Sequence, residues 1–114
     1  MHRPSLDTMV AFDAPVQVPD GSGGTDATWT GENAAVKAWA GIQYLRGGET
    51  IQAARLAGRQ PAVVRIYATL QTIAITPAWR MRDLHRNVIY NIRTIIPADD
   101  PVYLELTVES GGPT

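Results

Sequence analysis

Residues 102–109, VYLELTVE, carry the strictest two-residue alternation in the chain. An apolar side chain stands at every even position from 102 to 108, and an aromatic, charged or hydroxyl side chain stands at each odd position. A period of two is typical of a β-strand with one buried face. The stretch therefore predicts a strand and indicates a β fold.

Weaker forms of the same pattern recur along the 114 residues of the chain. Pro77 breaks one of them, and residues 80–87 are polar and turn-like. About six strands at close spacing with one short helix predict an all-β fold, a small six-stranded barrel or sandwich. The other strands are predicted at residues 8–18, 27–30, 36–45, 62–70, 73–79 and 88–96, with turns at 19–26 and 97–100.

The stretch GGETIQAARLAGRQP, residues 47–61, interrupts the strands. Its apolar residues stand at roughly helical spacing and its alanines favour a helix, which we predict over residues 49–57. Gly58 stands where a C-terminal cap belongs. A helix of about two turns is too short to be stable alone in water, so it needs tertiary or quaternary support.

The formal net charge of −1 hides an uneven distribution, because eight arginines between residues 46 and 93 face only two acids there. One interpretation is ordinary solvated arginine on exposed strands. The other is a basic face opposite an acidic one, which in a symmetric assembly would meet head to tail or line a path for DNA.

Nucleophilic catalysis is not predicted. The chain has no cysteine, its only histidines are His2 and His85, and no serine lies in a G-x-S-x-G turn. A hydrolase would need a nucleophile beside an oriented base. We interpret His85 as a solvated loop residue and predict no catalytic residue.

Cofactor and metal sites are likewise not predicted. The glycines at 21–24 and 47–48 are not followed by Lys-Ser/Thr, so they indicate turns rather than a phosphate loop. Asp99 and Asp100 stand in a turn sequence without a third ligand at metal-binding spacing.

Three tryptophans and four tyrosines leave a second function open. Aromatic side chains on a small barrel can stack the bases of single-stranded nucleic acid, which makes such a binding domain the alternative hypothesis. Strand aromatics more often belong to a core or an interface.

No apolar run is long enough for a signal peptide or a membrane helix. We therefore expect no membrane association, and a protein kept in a cytoplasm-like compartment or in a particle assembled there.

The order of short motifs from about residue 6 to residue 109 resembles one known family. Taken together, they are similar to the phage head–tail joining proteins, the adaptors, stoppers and head-closure proteins of long-tailed phages and gene transfer agents. The motifs are Gly23–Gly24 with Trp29, Trp39–Ile42, Gly47–Glu49, Val64–Ile66, Thr76–Met81 and Ile89–Ile95.

The resemblance implies one head–tail connector β-barrel domain over residues 1–114, with an insert at 46–60 and a flexible tail at 110–114. It implies a ring of six or twelve subunits in the particle neck, assembled in the bacterial cytoplasm, without catalytic activity. A portal or adaptor ring would lie above it, a tail terminator or tail tube below, and double-stranded DNA would pass through its channel.

In stopper-type members of the family the insert projects into the channel. Carried onto this chain, the resemblance leaves open whether the insert meets DNA or a neighbouring subunit. The insert residues so implicated are Arg46, Glu49, Arg55 and Arg59. The predicted basic strand and loop face comprises Arg65, Arg80, Arg82, Arg86 and Arg93.

Overall fold

Six strands of the chain close into an antiparallel barrel, and a computed structural model describes residues 6–19, 21–29 and 36–111. The barrel order is β1-β4-β5-β8-β7-β6, while β2 and β3 pair separately as a two-stranded hairpin. This confirms the predicted six-stranded barrel with one short inserted helix. The elements are β1 Thr8–Asp13, β2 Pro15–Pro19, β3 Thr25–Trp29, β4 Val36–Tyr44, α1 Glu49–Leu56, β5 Gln60–Tyr67, a 3₁₀ turn Thr72–Ala74, β6 Arg80–Asp83, β7 Val88–Pro97 and β8 Tyr103–Ser110.

Side chains from alternate strand positions fill the barrel. In β8 the even positions 104, 106 and 108 lie inside, as the alternation in the sequence predicts. The barrel core consists of Val10, Phe12, Ala40, Ala62, Val64, Ile66, Ile75, Met81, Tyr90, Ile92, Leu104, Leu106 and Val108.

All neighbouring barrel strands are antiparallel, so the connections sort into two ends. One end, here called the hairpin end, carries the β2–β3 hairpin together with residues 68–79 and 98–102. The opposite end, the helix end, carries residues 45–59 with α1 and the tight turn at 84–87.

The predicted strand at residues 8–18 is two strands that divide at Ala14. β1 enters the barrel, whereas β2 leaves it and begins at Pro15, paired with Trp29 of β3. Proline cannot donate a ladder hydrogen bond, which suits the end of an isolated hairpin. β3 begins two residues earlier than predicted, and Thr30 of that prediction lies outside the described residues.

Residues 73–79 form no strand, contrary to the prediction. The buried Thr72 hydroxyl donates to the carbonyl of Tyr67 at 2.7 Å and accepts from the amide of Thr69 at 2.7 Å. Side-chain hydrogen bonds of this kind satisfy backbone groups locally and compete with strand pairing. Residues 73 and 74 belong to the 3₁₀ turn Thr72–Ala74, and residues 75–79 form no regular secondary structure.

The polar residues Arg80–Asp83, predicted as a turn, form barrel strand β6. Met81 and Asp83 are buried, while Arg80 and Arg82 occupy the alternate positions of the strand. The strand pairs with β1 on one side and β7 on the other, so it closes the barrel.

A bulge in β7 at Arg93 reverses the alternation of that strand, because the register with β8 shifts between Ile92 and Thr94. Ile92 is buried before the bulge and Ile95 packs on the core after it. Ile96 is consequently left exposed.

Backbone hydrogen bonds and glycine conformations define both ends of α1. Gly48 precedes the helix with φ 86° and ψ 150°, a conformation almost restricted to glycine. Gly58 follows it with φ +82°. The amides of Gly58 and Arg59 donate to the carbonyls of Arg55 and Ala54 at 3.0 and 2.8 Å, the Schellman pattern. The predicted glycine cap is confirmed.

The C-terminal strand continues further than predicted. Ser110 belongs to β8, and the backbone of Gly111 packs directly on Gly58, where an added Cβ would overlap with the Gly58 carbonyl oxygen. Residues 112–114 of the predicted tail lie outside the described residues. The contact fixes the end of α1 against the end of β8.

We expect Gly111→Ala to lower the free energy of unfolding by about 1–2 kcal/mol for its positive φ and by about 1–3 kcal/mol more for the overlap. Gly58→Ala is the matched control, since it also has positive φ but no atom within 4 Å of the added Cβ. Urea unfolding compares the two. Equal losses for both variants would contradict the close contact.

Candidate functional site

Most of the predicted arginines form ion pairs within the chain, in separate groups. The paired arginines are Arg59, Arg65, Arg80, Arg82, Arg86 and Arg93.

Asp13 lies at the end of β1 and is fully buried beneath two arginines of β6. Arg82 donates from Nε to Oδ2 at 2.6 Å and from Nη2 to Oδ1 at 3.0 Å, a bidentate pair. Arg80 donates from Nε to Oδ2 at 2.9 Å. Two arginines that the sequence suggests for an external partner thus bind one carboxylate of their own chain.

The same cluster holds the hairpin. The guanidinium carbon of Arg80 lies 4.8 Å from the ring centroid of Trp29, the last residue of β3. A cation–π contact of this kind contributes about 0.5–2 kcal/mol. The hairpin therefore leaves the barrel at Asp13 and returns to it at Trp29, both next to Arg80.

Burial alone would raise the pKa of Asp13, but the hydrogen bonds and charges of Arg82 and Arg80 outweigh it and lower that pKa below its ordinary value of 3.8. The carboxylate stays ionised across the physiological range. The stability that it contributes is present above about pH 3.8 and is lost as the pH falls through the lowered pKa.

A second group joins the insert to the barrel. Glu109 of β8 accepts hydrogen bonds from Arg59 at 3.4 Å and from Arg93 at 3.2 Å, both on Oε1. Arg59 follows α1, so its bond fastens the end of the insert to β8. Arg65 makes a separate pair with Glu105 at 3.0 Å across β5 and β8.

A third group lies at the helix end. Asp83 Oδ1 accepts from the amides of His85 and Arg86 at 2.9 and 3.0 Å, and Arg86 donates to the Tyr44 hydroxyl at 2.9 Å. Burial, together with the nearby Tyr44 hydroxyl 3.3 Å away, raises the pKa of Tyr90. These contacts order the β6–β7 turn over the mouth of the barrel.

His85 and Asp100, for which the sequence predicts neither catalysis nor metal binding, make hydrogen bonds within the chain. His85 lies exposed in a turn, where its Nε2 accepts from the Met9 amide at 3.3 Å. The Asp100 carboxylate accepts from the amide of Val102 at 3.1 Å within the predicted turn. His2 lies outside the described residues. Within residues 6–19, 21–29 and 36–111, no three acidic or histidine side chains group as metal ligands.

Helix α1 projects from the barrel. Ala54 is its one buried residue, and Leu56 is 89% exposed. In the described part of the chain Arg46, Glu49 and Arg55 are exposed and form no ion pair. What these three residues contact outside the chain stays a prediction. No helix among the described residues is long and apolar enough to cross a membrane.

The aromatic residues do not form one platform. Tyr90 is in the core, and Trp79 packs against it. Trp39 and Tyr67 are 50% and 47% exposed, and with Leu6 and Asp7 they line an open depression of about 570 Å³.

Sequence reasoning missed the acids that bind the arginines. Asp13 and Glu109 stand at outward-facing positions of predicted strands, where a charged side chain is ordinary. Their partners stand 16 to 69 residues away in the sequence, so the local spacing of charges along the chain gave no signal for them.

Comparison with known proteins gives one family and one fold. A sequence model of the phage head completion protein family matches residues 1–111. The fold is similar to that of a chain in the virion of a native gene transfer agent particle, with a TM-score of 0.63, 24% identity, and 94% of this chain and 96% of that chain covered. It is also similar to a Shigella flexneri 2a protein solved in solution, with a TM-score of 0.70, 16% identity, and 100% of both chains covered. No curated protein sequence matches.

We expect Asp13→Asn to lower the free energy of unfolding at pH 7 by about 2–3 kcal/mol, because two arginines lose their anionic partner. The difference from the unsubstituted protein should shrink as the pH falls below about 3.8, because Asp13 becomes protonated first in the unfolded chain and then, through its lowered pKa, in the folded protein. Urea unfolding at pH 7 and pH 3 measures both. The exposed Asp99→Asn variant controls for loss of a charge, and a gap independent of pH would contradict the role of the carboxylate.

Proposed function

This chain belongs to the phage head completion protein family, and from that membership we propose that it is a neck subunit that forms a ring below the portal. The ring closes the DNA-filled head and joins it to the tail. A head completion protein is a structural component of the virion and not an enzyme, so the prediction of a non-enzymatic protein is confirmed.

The observation that carries the proposal is the family match over residues 1–111 of 114. The fold supports it. A subunit placed between a head and a tail needs two different docking surfaces, and the barrel has a hairpin at one end and a helix at the other. Copies that contact one another through unlike surfaces form closed rings when the rotation between them closes.

The proposed surroundings follow from that position. A portal or adaptor ring lies above the subunits and a tail terminator or tail tube below, with double-stranded DNA in a channel through six or twelve copies. The particle is a phage or a gene transfer agent, built in the bacterial cytoplasm. The exposed cations of the insert, Arg46 and Arg55, are available to DNA or to a neighbouring subunit, whereas Arg59 is held by Glu109.

The alternative, a single-strand nucleic-acid-binding barrel, gains no support. Such proteins combine a free basic groove with stacked aromatics. Here six arginines form ion pairs with four acids of the same chain, and the net charge is −1.

Locating the protein in purified particles tests the proposal directly. Cryo-electron microscopy of the neck should show this barrel as a ring between portal and tail. Deleting its gene should leave filled heads that lose DNA or lack tails, with normal heads restored by expression of the chain in trans. Absence of the protein from the neck would refute the proposal.

For the insert, we expect the double variant Arg55→Glu and Arg59→Glu to reduce infectious or transducing titre by at least about tenfold, because each reversal replaces attraction to an anionic partner by repulsion. The particles should lose DNA or lack tails. Since Arg59 also holds Glu109, the Arg59→Gln variant is the matched control for a loosened insert. Unchanged titre for the double variant would show that these cations meet neither DNA nor a neighbour.

A further inference from the structure

The last turn of α1 exposes a leucine beside an arginine. Leu56 is 89% exposed, and in the described part of the chain Arg55 forms no ion pair. A single exposed leucine is ordinary on a protein surface. Here, however, it sits on a projecting helix that buries one residue against its own barrel and is too short to be stable alone.

A surface of complementary chemistry lies on the outside of the same barrel. Trp39 of β4 and Tyr67 of β5 form half-exposed aromatic walls of the depression, and Leu6 and Asp7 complete it. Asp7 is exposed, and its carboxylate accepts only a 3.3 Å hydrogen bond from the neighbouring Thr8 hydroxyl among the described residues. The site therefore offers an apolar recess with one anion at its rim.

Both aromatic walls of the depression contact a second ring of the same chain. The Tyr67 ring stacks on Tyr103 at a centroid distance of 5.1 Å, and Trp39 meets the edge of His85 at 6.4 Å. Stacked and T-shaped arrangements are favourable for aromatic pairs, so these contacts stabilise the observed ring orientations. The recess is thus formed before any partner arrives, which lowers the entropy that binding would lose.

We propose that α1 of one copy docks on the next copy of this chain, with Leu56 in the recess between Trp39 and Tyr67 and with Arg55 paired to Asp7. The inference rests on the proposed function, because it names the contact between neighbours in the ring. The two surfaces differ, so the contact is heterologous and propagates from copy to copy until the ring closes. Leu56 is exposed in its own copy, which shows that its own barrel does not take it.

This contact provides the quaternary support that the short helix requires. It also assigns Arg55 to the neighbouring subunit rather than to DNA, and it leaves Arg46 without a role in the contact. That difference between two exposed arginines of one insert supplies the control for the test.

A charge exchange in particles tests the ion pair. Asp7→Arg alone and Arg55→Asp alone should each reduce the yield of tailed particles by at least about tenfold, since like charges then face each other across the interface. The combined variant D7R/R55D should restore the yield. The control variant D7R/R46D has the same net charge as D7R/R55D but should not restore the yield. Rescue by R46D as complete as by R55D, or no loss in the single variants, would overturn the proposal.

Crosslinking tests the geometry independently, because the chain has no cysteine of its own. In oxidised particles the variant D7C/L56C should give a ladder of disulfide-linked dimers, trimers and larger species, which a bond within one copy cannot produce. The exposed Asp99 lies at the hairpin end, so the variant L56C/D99C should give none.

The outcomes separate this contact from the neck function. Tailed particles of normal yield that contain only uncrosslinked D7C/L56C would overturn the contact and leave the ring proposal intact. Occupation of the depression by residues 1–5 of the same chain would also leave D7C/L56C uncrosslinked, and that outcome would equally overturn the contact. Absence of the unsubstituted protein from the neck would overturn both proposals.

Discussion

Closure of the barrel between β1 and β6 is the constraint on which the other features depend. β6 has only four residues, yet it pairs with β1 on one side and β7 on the other. Without it, β1 and β7 would present long unpaired edges, which are sites of non-native pairing. The buried Asp13, held by Arg80 and Arg82, spans this seam from outside. Once the seam is closed, every connection must leave at one end or the other, and the hairpin and the helix are separated.

The strands that sequence reasoning located correctly are those whose burial follows a simple rule. β8 and β4 alternate cleanly, because one face of each meets the core and the other meets solvent. β6 escaped notice because three of its four residues are charged, although one of these, Asp83, is buried. The neighbouring prediction of a strand at 73–79 was wrong because Thr69 and Thr72 bond locally to the backbone. Such hydrogen bonds leave no periodic trace in a sequence.

In the candidate site, too, local features were predictable from the sequence and contacts between distant residues were not. The order of motifs was enough to identify the family, because each motif is a short local stretch at a turn or at the start of a strand and can be read directly from the sequence. The arrangement of arginines was not predictable, because most of the ion pairs join residues far apart in sequence. Arg59 and Glu109 are 50 residues apart, and Asp13 and Arg82 are 69 apart. A run of like charges in the sequence therefore became four ion-paired groups, and of the arginines between residues 46 and 93 only Arg46 and Arg55, both in the insert, form no ion pair among the residues that the structure describes.

The trio of Asp13, Arg80 and Arg82 also constrains how the sequence can change over time. Loss of the carboxylate alone leaves two guanidinium groups facing each other, and loss of either arginine alone weakens the compensation of a fully buried anion. Neither step is neutral, whereas replacement of all three by apolar side chains of similar volume can be. Substitutions at these positions are thus coupled. A relative that keeps Asp13 is expected to keep both arginines, and a relative that lacks Asp13 is expected to have other residues at all three positions.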